Sequence, residues 1–521
     1  MVPISVGERK NKGFRQVQVI MRGRYKSSPR NSCSTFLQSS VLIRQKQNHS
    51  MMFFSRLFVK LMYVHYFWTV ITASSLIPGI PFVFVWNAPS ELCKSHFGFE
   101  LDLSYFQIVS STLKTATNQR VSIFYSDRFG VFPYVDEESG KHYGSGLPQL
   151  IDFHEHWELA EENIIFYIPK DQPGLAVLDF EEWRPQWVRN WGNKDVYREQ
   201  SIKAIMQKNL SLTYKEAQAL AVMAFEKAAK KYFLKSLNLG KKLRPSREWG
   251  YYLYPDCYNY GYKTNMDLYT GECPEIEKMR NNELLWLWNE STALFPSIYL
   301  ELVLQESHQA KLYARHRIQE AIRVSKLSNK SSAVPVYAYV RPCFKDSDVH
   351  YLSEYDLVNT IGEAAALGAA GVISWGDMKM SKSEASCAAA KHHLQEVLNP
   401  YILNVTTATR LCSEALCQST GRCVRRVWDS GEYLHLSPHR YQIYMDNTSG
   451  LFVKGQISQE DVEWFQERFD CACYTEDPCF APLTLNSVSS FVYNEGFSLW
   501  HFIMPQWLAY ALTVVWIAII C

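Results

Sequence analysis

The stretch Gly174-Leu175-Ala176-Val177-Leu178-Asp179-Phe180-Glu181-Glu182-Trp183-Arg184-Pro185 decides how this chain is read. Four apolar residues, Leu175 to Leu178, have the pattern of a strand buried on both faces. Asp179 and Glu181 follow at i and i+2, and side chains two apart on a strand share a face. The strand is expected to span Leu175–Glu181, with both carboxylates projecting together where it ends. Two carboxyl groups held that close cannot both ionise freely, so one is pushed up and can carry a proton near neutral pH. Glycosidases work with such a pair. An isolated Asp-x-Glu is more often an acidic loop, so the surrounding sequence has to decide.

Working outward, Val121–Tyr125, Gly250–Tyr254, Val334–Val340 and Ala370–Trp375 also read as short buried strands. The segment from Thr213 to Leu239 reads as one amphipathic helix, with a Thr213/Glu216 capping box and Gly240 placed to end it. Helices between buried strands imply a parallel sheet. With 521 residues and no dinucleotide fingerprint, the expected fold is α/β, a (β/α) TIM-like barrel. Sites in such barrels lie at the C-terminal ends of the strands, where Asp179, Glu181, Tyr252 and Trp375 all fall.

The two ends differ from this body. Residues 1–50 carry ten Lys/Arg against one acid, Glu8, and form a basic extension not expected in the mature protein. Residues 51–75 have the basic start, apolar stretch and small-residue end of a signal peptide. A type II membrane anchor with a basic cytoplasmic tail is the rival reading. Residues 485–521 hold small residues (Ser487, Ser489, Ser490), a polar spacer and an uncharged apolar run from Phe502, the pattern of a glycosylphosphatidylinositol attachment signal. A plain membrane helix is its alternative. Without the basic extension, Arg56 and Lys60, the net charge moves from +2 to about −9, so a polyanionic ligand would need a local basic strip. Thirteen cysteines suit an oxidising compartment. Sequons at Asn209, Asn289, Asn329, Asn404 and Asn447 agree with secretion. The 15 Trp and 31 Tyr suit a sugar groove or an aromatic core equally well. Neither zinc nor calcium spacing is evident, no cofactor is called for, and nucleic acid is not expected as a partner.

The surrounding sequence resembles the hyaluronidase family. The likeness is carried by Trp86-Asn87-Ala88-Pro89, Ile123-Phe124-Tyr125, Gly144-Ser145-Gly146-Leu147-Pro148-Gln149, Asp179-Phe180-Glu181 and Trp183-Arg184-Pro185 running to Asn190-Trp191. It continues through Pro255-Asp256-Cys257-Tyr258-Asn259, Ala293-Leu294-Phe295-Pro296-Ser297-Ile298-Tyr299 and Gly371-Val372-Ile373-Ser374-Trp375. It covers roughly residues 82 to 484, and the two ends point to the sperm-surface, lipid-anchored branch. The resemblance implies a barrel at 82–405 and a small disulfide-rich module resembling epidermal growth factor at 406–484. It also implies the pairs Cys93–Cys387, Cys257–Cys273, Cys412–Cys423, Cys417–Cys471 and Cys473–Cys479. Spacing alone allows 15 pairings of the last six cysteines. Cys33, Cys343 and Cys521 remain, with Cys343 the expected free, buried thiol.

The resemblance further implies a role for each site residue. Glu181 should be the acid and base, and Asp179 should share its proton. The substrate's own N-acetyl oxygen would be the nucleophile, the substrate-assisted exception among retaining glycosidases. Tyr252 and Tyr299 should hold the acetamido group, Trp375 should wall its methyl, and Tyr125 and Asp256 should line the cleft. Phe180 stands where many relatives have Trp and is read as an inward spacer, while Phe295 replaces a commoner Tyr. The implied activity is an endo-β-N-acetylhexosaminidase cutting hyaluronan, with chondroitin weaker, on the sperm surface or acrosomal membrane. A surface adhesion receptor for hyaluronan or an egg-coat glycoprotein is the second hypothesis. The intact acidic pair favours catalysis, since a pure binder could lose it.

Overall fold

Seven short strands and one extended segment bring the Asp179–Glu181 stretch to a barrel mouth. The computed structural model describes residues 76–480, apart from Glu137, Asn329, Ser331 and 447–449. The strands are β1 (Val83–Asn87), β2 (Ile108–Ser110), β3 (Val121–Tyr125), β4 (Gly174–Asp179), β5 (Arg247–Tyr251), β6 (Tyr337–Val340) and β7 (Gly371–Trp375). One parallel sheet has the order β2-β1-β7-β6 and another the order β3-β4-β5. Parallel bridges Tyr252–Phe295, Leu294–Val336 and Ser297–Tyr339 let segment 294–297 join β5 to β6. On the far side, the Val121 N–H donates to Ser110 Oγ at 3.0 Å, which links β3 to β2. The circuit closes into the expected (β/α) barrel.

The barrel axis is filled. Val83, Val85, Ile123, Leu175, Val177, Phe295, Tyr337 and Ile373 meet there in one buried cluster, as alternation along each strand requires. The opposite faces of the strands pack on the helices, where Phe124, Leu178, Phe180 and Trp249 sit with the helix residues Phe225, Tyr232 and Phe233. Gly250 is needed where β5 meets its neighbour. A Cβ there would lie 2.1 Å from the Ala293 carbonyl oxygen.

The boundaries depart from expectation in physical ways. β4 stops at Asp179, so Glu181 lies beyond the strand. β5 starts three residues early and stops at Tyr251, because Leu253 turns the chain with φ of 72°. β6 is shorter than Val334–Val340. The capping box on Thr213 and Glu216 is present, but Gly240 does not end that helix, which runs Tyr214–Leu243. Gly240 packs flat on Trp249 instead, whose ring a Cβ would approach to 2.6 Å. β1 and β2 were not anticipated as strands.

The five expected disulfides all form: Cys93–Cys387, Cys257–Cys273, Cys412–Cys423, Cys417–Cys471 and Cys473–Cys479. Cys343 is free and buried. Helix Asn399–Cys417 runs across residues 405 and 406 and carries the first two cysteines of the disulfide-rich module. A buried Arg–Glu–Arg cluster seats the module on the barrel helices. Arg315 Nη2 lies 2.7 Å from Glu363 Oε1, Arg425 Nη2 lies 2.7 Å from Oε2, and the Tyr433 hydroxyl donates to Oε1 at 2.8 Å. Among the sequons, Asn209 is exposed, while Asn289 and Asn404 are half-buried and Asn404 Oδ1 accepts the Leu436 N–H. Asn329 and Asn447, the two terminal segments, Cys33 and Cys521 lie outside the described residues. Among those residues no helix is long and apolar enough to cross a membrane.

Candidate active site

At the C-terminal ends of the strands the barrel's filling changes from aliphatic to aromatic and acidic. Tyr125, Tyr252, Tyr299 and Trp375 pack on the top of the axial cluster, and Asp179 pairs in register with Tyr125. Phe180, between the carboxylates, points the other way. It is buried, as an inward spacer should be, and enters the helix layer, with ring centroids 4.7 Å from Phe132 and 5.7 Å from Tyr251. Anchoring that ring turns Asp179 inward.

The two carboxyl groups have unlike surroundings. The Asp179 carboxyl is buried and its Oδ1 has no hydrogen-bond partner. Burial, then the charges of Glu181 and Glu182, push it well above the usual carboxylate range, against the pull of Arg184. Asp179 is therefore the proton-holding member. The Glu181 side chain is 54% exposed and lies open to solvent at the cleft, with Arg184 Nη2 at 3.5 Å from its Oε2. Arg184 Nη1 also donates to the Glu181 carbonyl at 2.7 Å. One carboxyl stores a proton in the floor, and the other presents itself to a bound molecule.

The aromatic groups complete a ring around this pair. The Tyr252 hydroxyl reaches Ser297 and Tyr299, and burial followed by the charges of Glu181 and Asp179 raises it above the usual phenol range. Burial, then Tyr252, raises Tyr299 likewise. Both stay protonated and can donate. The Trp375 indole N–H donates to the Tyr125 hydroxyl at 3.0 Å, and the Tyr299 ring stacks on the indole at 6.2 Å. The Arg341 guanidinium stands 5.2 Å from the centre of the same indole. Asp256 lines a small cavity together with Arg184 and Tyr254. Its Oδ1 accepts the N–H groups of Cys257 and Tyr258, and Arg317 Nη1 lies 3.3 Å away.

Three further residues belong here that sequence reasoning assigned no role. Arg184 binds Glu181, Ser297 meets Tyr252, and Tyr339 puts an unpartnered, buried hydroxyl beneath Tyr125, Asp179 and Tyr252. Alternation along Tyr337–Tyr339 and Ser297–Tyr299 could have flagged the last two once their facing was known.

A closed barrel with a buried acid, an exposed acid and an aromatic, hydroxyl-lined wall at its mouth defines a glycoside hydrolase site. The chain belongs to the hyaluronidase family, glycoside hydrolase family 56, whose model matches residues 71–480. It is 47% identical to Hyaluronidase-5 of Mus musculus over 418 residues, covering 80% of this chain and 79% of that protein. It is 46% identical to Hyaluronidase PH-20 of Homo sapiens over 407 residues, covering 78% of this chain and 79% of that protein. Among solved structures, bee venom hyaluronidase in complex with a hyaluronic acid tetramer superposes with a TM-score of 0.53 at 25% identity, over 62% of this chain and 98% of that one.

Proposed function

We propose that this enzyme cuts the β-1,4 bonds of hyaluronan, with weaker action on chondroitin, by substrate-assisted catalysis with retention. The observation that carries the reading is the unlike pair, Asp179 buried and proton-holding, Glu181 exposed and braced by Arg184. Glu181 protonates the leaving glycosidic oxygen. The acetamido carbonyl oxygen of the same sugar attacks its anomeric carbon and forms a cyclic cation. Glu181 then takes a proton from the water that opens it. Glu181 receives the proton it donates from Asp179, and the Asp179 carboxylate left behind stabilises the positive charge. Tyr252 and Tyr299 donate to the acetamido group and keep it in line, while Trp375 gives its methyl an apolar wall. Positioning of this kind can supply several kcal/mol of barrier lowering.

The terminal segments support a lipid-anchored protein of the cell surface, and their resemblance to the sperm-surface branch supports a place there, where it would open the matrix around the egg. Phosphatidylinositol-specific phospholipase should release it from cells. Retention with the tail from Phe502 still attached would leave a membrane helix instead.

The test of activity is digestion of defined hyaluronan oligomers, with new reducing ends counted. Steady release of even-numbered products supports the reading. Binding without any new reducing end would make the protein an adhesion receptor.

A further inference from the structure

Glu181 lies two residues past the end of β4, on a half-exposed side chain, so the barrel ladder does not hold it. Its backbone is held from elsewhere. Lys194 Nζ donates to the Glu181 carbonyl at 2.5 Å and to the Glu182 carbonyl at 3.1 Å. With Arg184 Nη1 at 2.7 Å, the Glu181 carbonyl receives two cationic donors. Charge-assisted bonds of this kind are about twice as strong as neutral ones.

The place of Lys194 in its own element makes the contact more telling. It closes a 3-10 turn, Gly192–Lys194, that runs directly into helix Asp195–Lys208, and its side chain makes no capping bond there. A cation at the start of a helix opposes the helix dipole. The helix itself therefore gains nothing from a lysine at 194, whereas the carbonyls of Glu181 and Glu182 do. The chain between them is fixed at the same time, because Asn190 Oδ1 accepts the Arg184 N–H at 2.8 Å and its amide donates to the Arg184 carbonyl at 2.9 Å.

We infer that Lys194 is a positioning residue for the acid/base. It clamps the turn Glu181–Glu182 so that a carboxylate outside the sheet keeps one orientation toward the scissile bond. The inference rests on Glu181 being the acid/base of the proposed reaction. It acts through the backbone of Glu181 and touches no reacting atom, so its loss should fall on turnover and not on binding.

The experiment is steady-state cleavage of hyaluronan oligomers by the full-length enzyme and by Lys194→Met, Lys194→Gln and Lys194→Arg. Lys194→Met should lower kcat on the order of tenfold to a hundredfold, the scale of a small misplacement of a catalytic group, with KM within about twofold. Lys194→Arg should recover most of the loss, and Lys194→Gln, which keeps an N–H donor, should fall between. If Lys194→Met folds poorly, the Gln and Arg variants carry the comparison. A kcat within about twofold of wild type in a folded Met or Gln variant would overturn the inference. So would a rise in KM with kcat kept, which would make Lys194 a contact to the polyanion. Failure of the wild-type enzyme to cut would instead sink the reading of the site on which this rests.

Discussion

Replacing Asp179 by Asn should make the protein more stable and less active, and the two effects should respond differently to pH. The Asp179 carboxyl is buried, its Oδ1 lacks a partner, and burial with neighbouring acids pushes it well above the usual range. Its folded pKa lies above its unfolded value, so the unfolded chain releases the proton first as pH rises. Asp179 therefore costs stability at neutral pH, and that cost disappears as pH falls toward the unfolded value near 4. Asparagine resembles the protonated acid and carries no such cost. Each pH unit over which only the unfolded chain is ionised costs about 1.4 kcal/mol of stability. For a chain of this size each such unit corresponds to roughly 1–2 °C in Tm. The assay is thermal unfolding followed by near-ultraviolet circular dichroism at pH 7.5 and pH 4.5, alongside turnover of hyaluronan oligomers. Asp179→Asn should melt higher at pH 7.5, lose most of that advantage at pH 4.5, and lose on the order of 10²–10⁴ in kcat. A lower Tm at pH 7.5, or an advantage that does not change with pH, would refute the assignment of Asp179 as the costly, proton-holding member.

Other expectations follow from separate parts of the structure. Glu363→Gln should cost about 3–5 kcal/mol, because it leaves the buried guanidinium groups of Arg315 and Arg425 uncompensated; chemical denaturation of the intact protein measures it, and a loss under 1 kcal/mol would contradict it. Burial holds His156 neutral, with its pKa lowered to about 3, and His393 and His435 with theirs lowered to about 4. Their folded values lie below the unfolded one, so their contribution is present above about pH 6.5 and is lost as pH falls through that range. Proton resonance titration should find three histidines still neutral at pH 5 in the folded protein. Tyr252→Phe and Tyr299→Phe should lower kcat more than they raise KM, because their hydroxyl bonds strengthen as the acetamido group swings into line; the reverse pattern would reduce them to binding contacts.

The acidic end of β4 was legible because burial and alternation act over neighbouring residues. Four apolar positions followed by two acids at i and i+2 need no tertiary knowledge. What escaped was set by contacts between distant segments. Gly240 carries a helix-ending signal that loses to the flat face of Trp249, nine residues on in sequence but on the adjoining strand. The ends of β5 were misplaced because Leu253 takes a left-handed turn, a conformation that a Leu does not advertise. The two carboxyl groups could be paired from sequence, but their division of labour could not. Phe180 must first seat in the helix layer before Asp179 is buried and Glu181 is left open. Arg184 stood in view inside the quoted stretch, and only the turn after β4 brings its guanidinium back onto Glu181. The five disulfides came from family resemblance; their spacing alone did not determine them.

The most direct test of the account is Glu181→Gln. The amide keeps the shape of the side chain and its contact with Arg184 but cannot donate a proton to the leaving oxygen. Purified wild type and variant should be compared for new reducing ends on defined hyaluronan oligomers, with binding measured on the same oligomers. The account predicts a fall in turnover on the order of 10²–10⁴, with binding and Tm close to wild type. Turnover above about half that of wild type would contradict it, because general acid catalysis of this kind is typically worth 10²–10⁴ and Glu181 could not then be the acid.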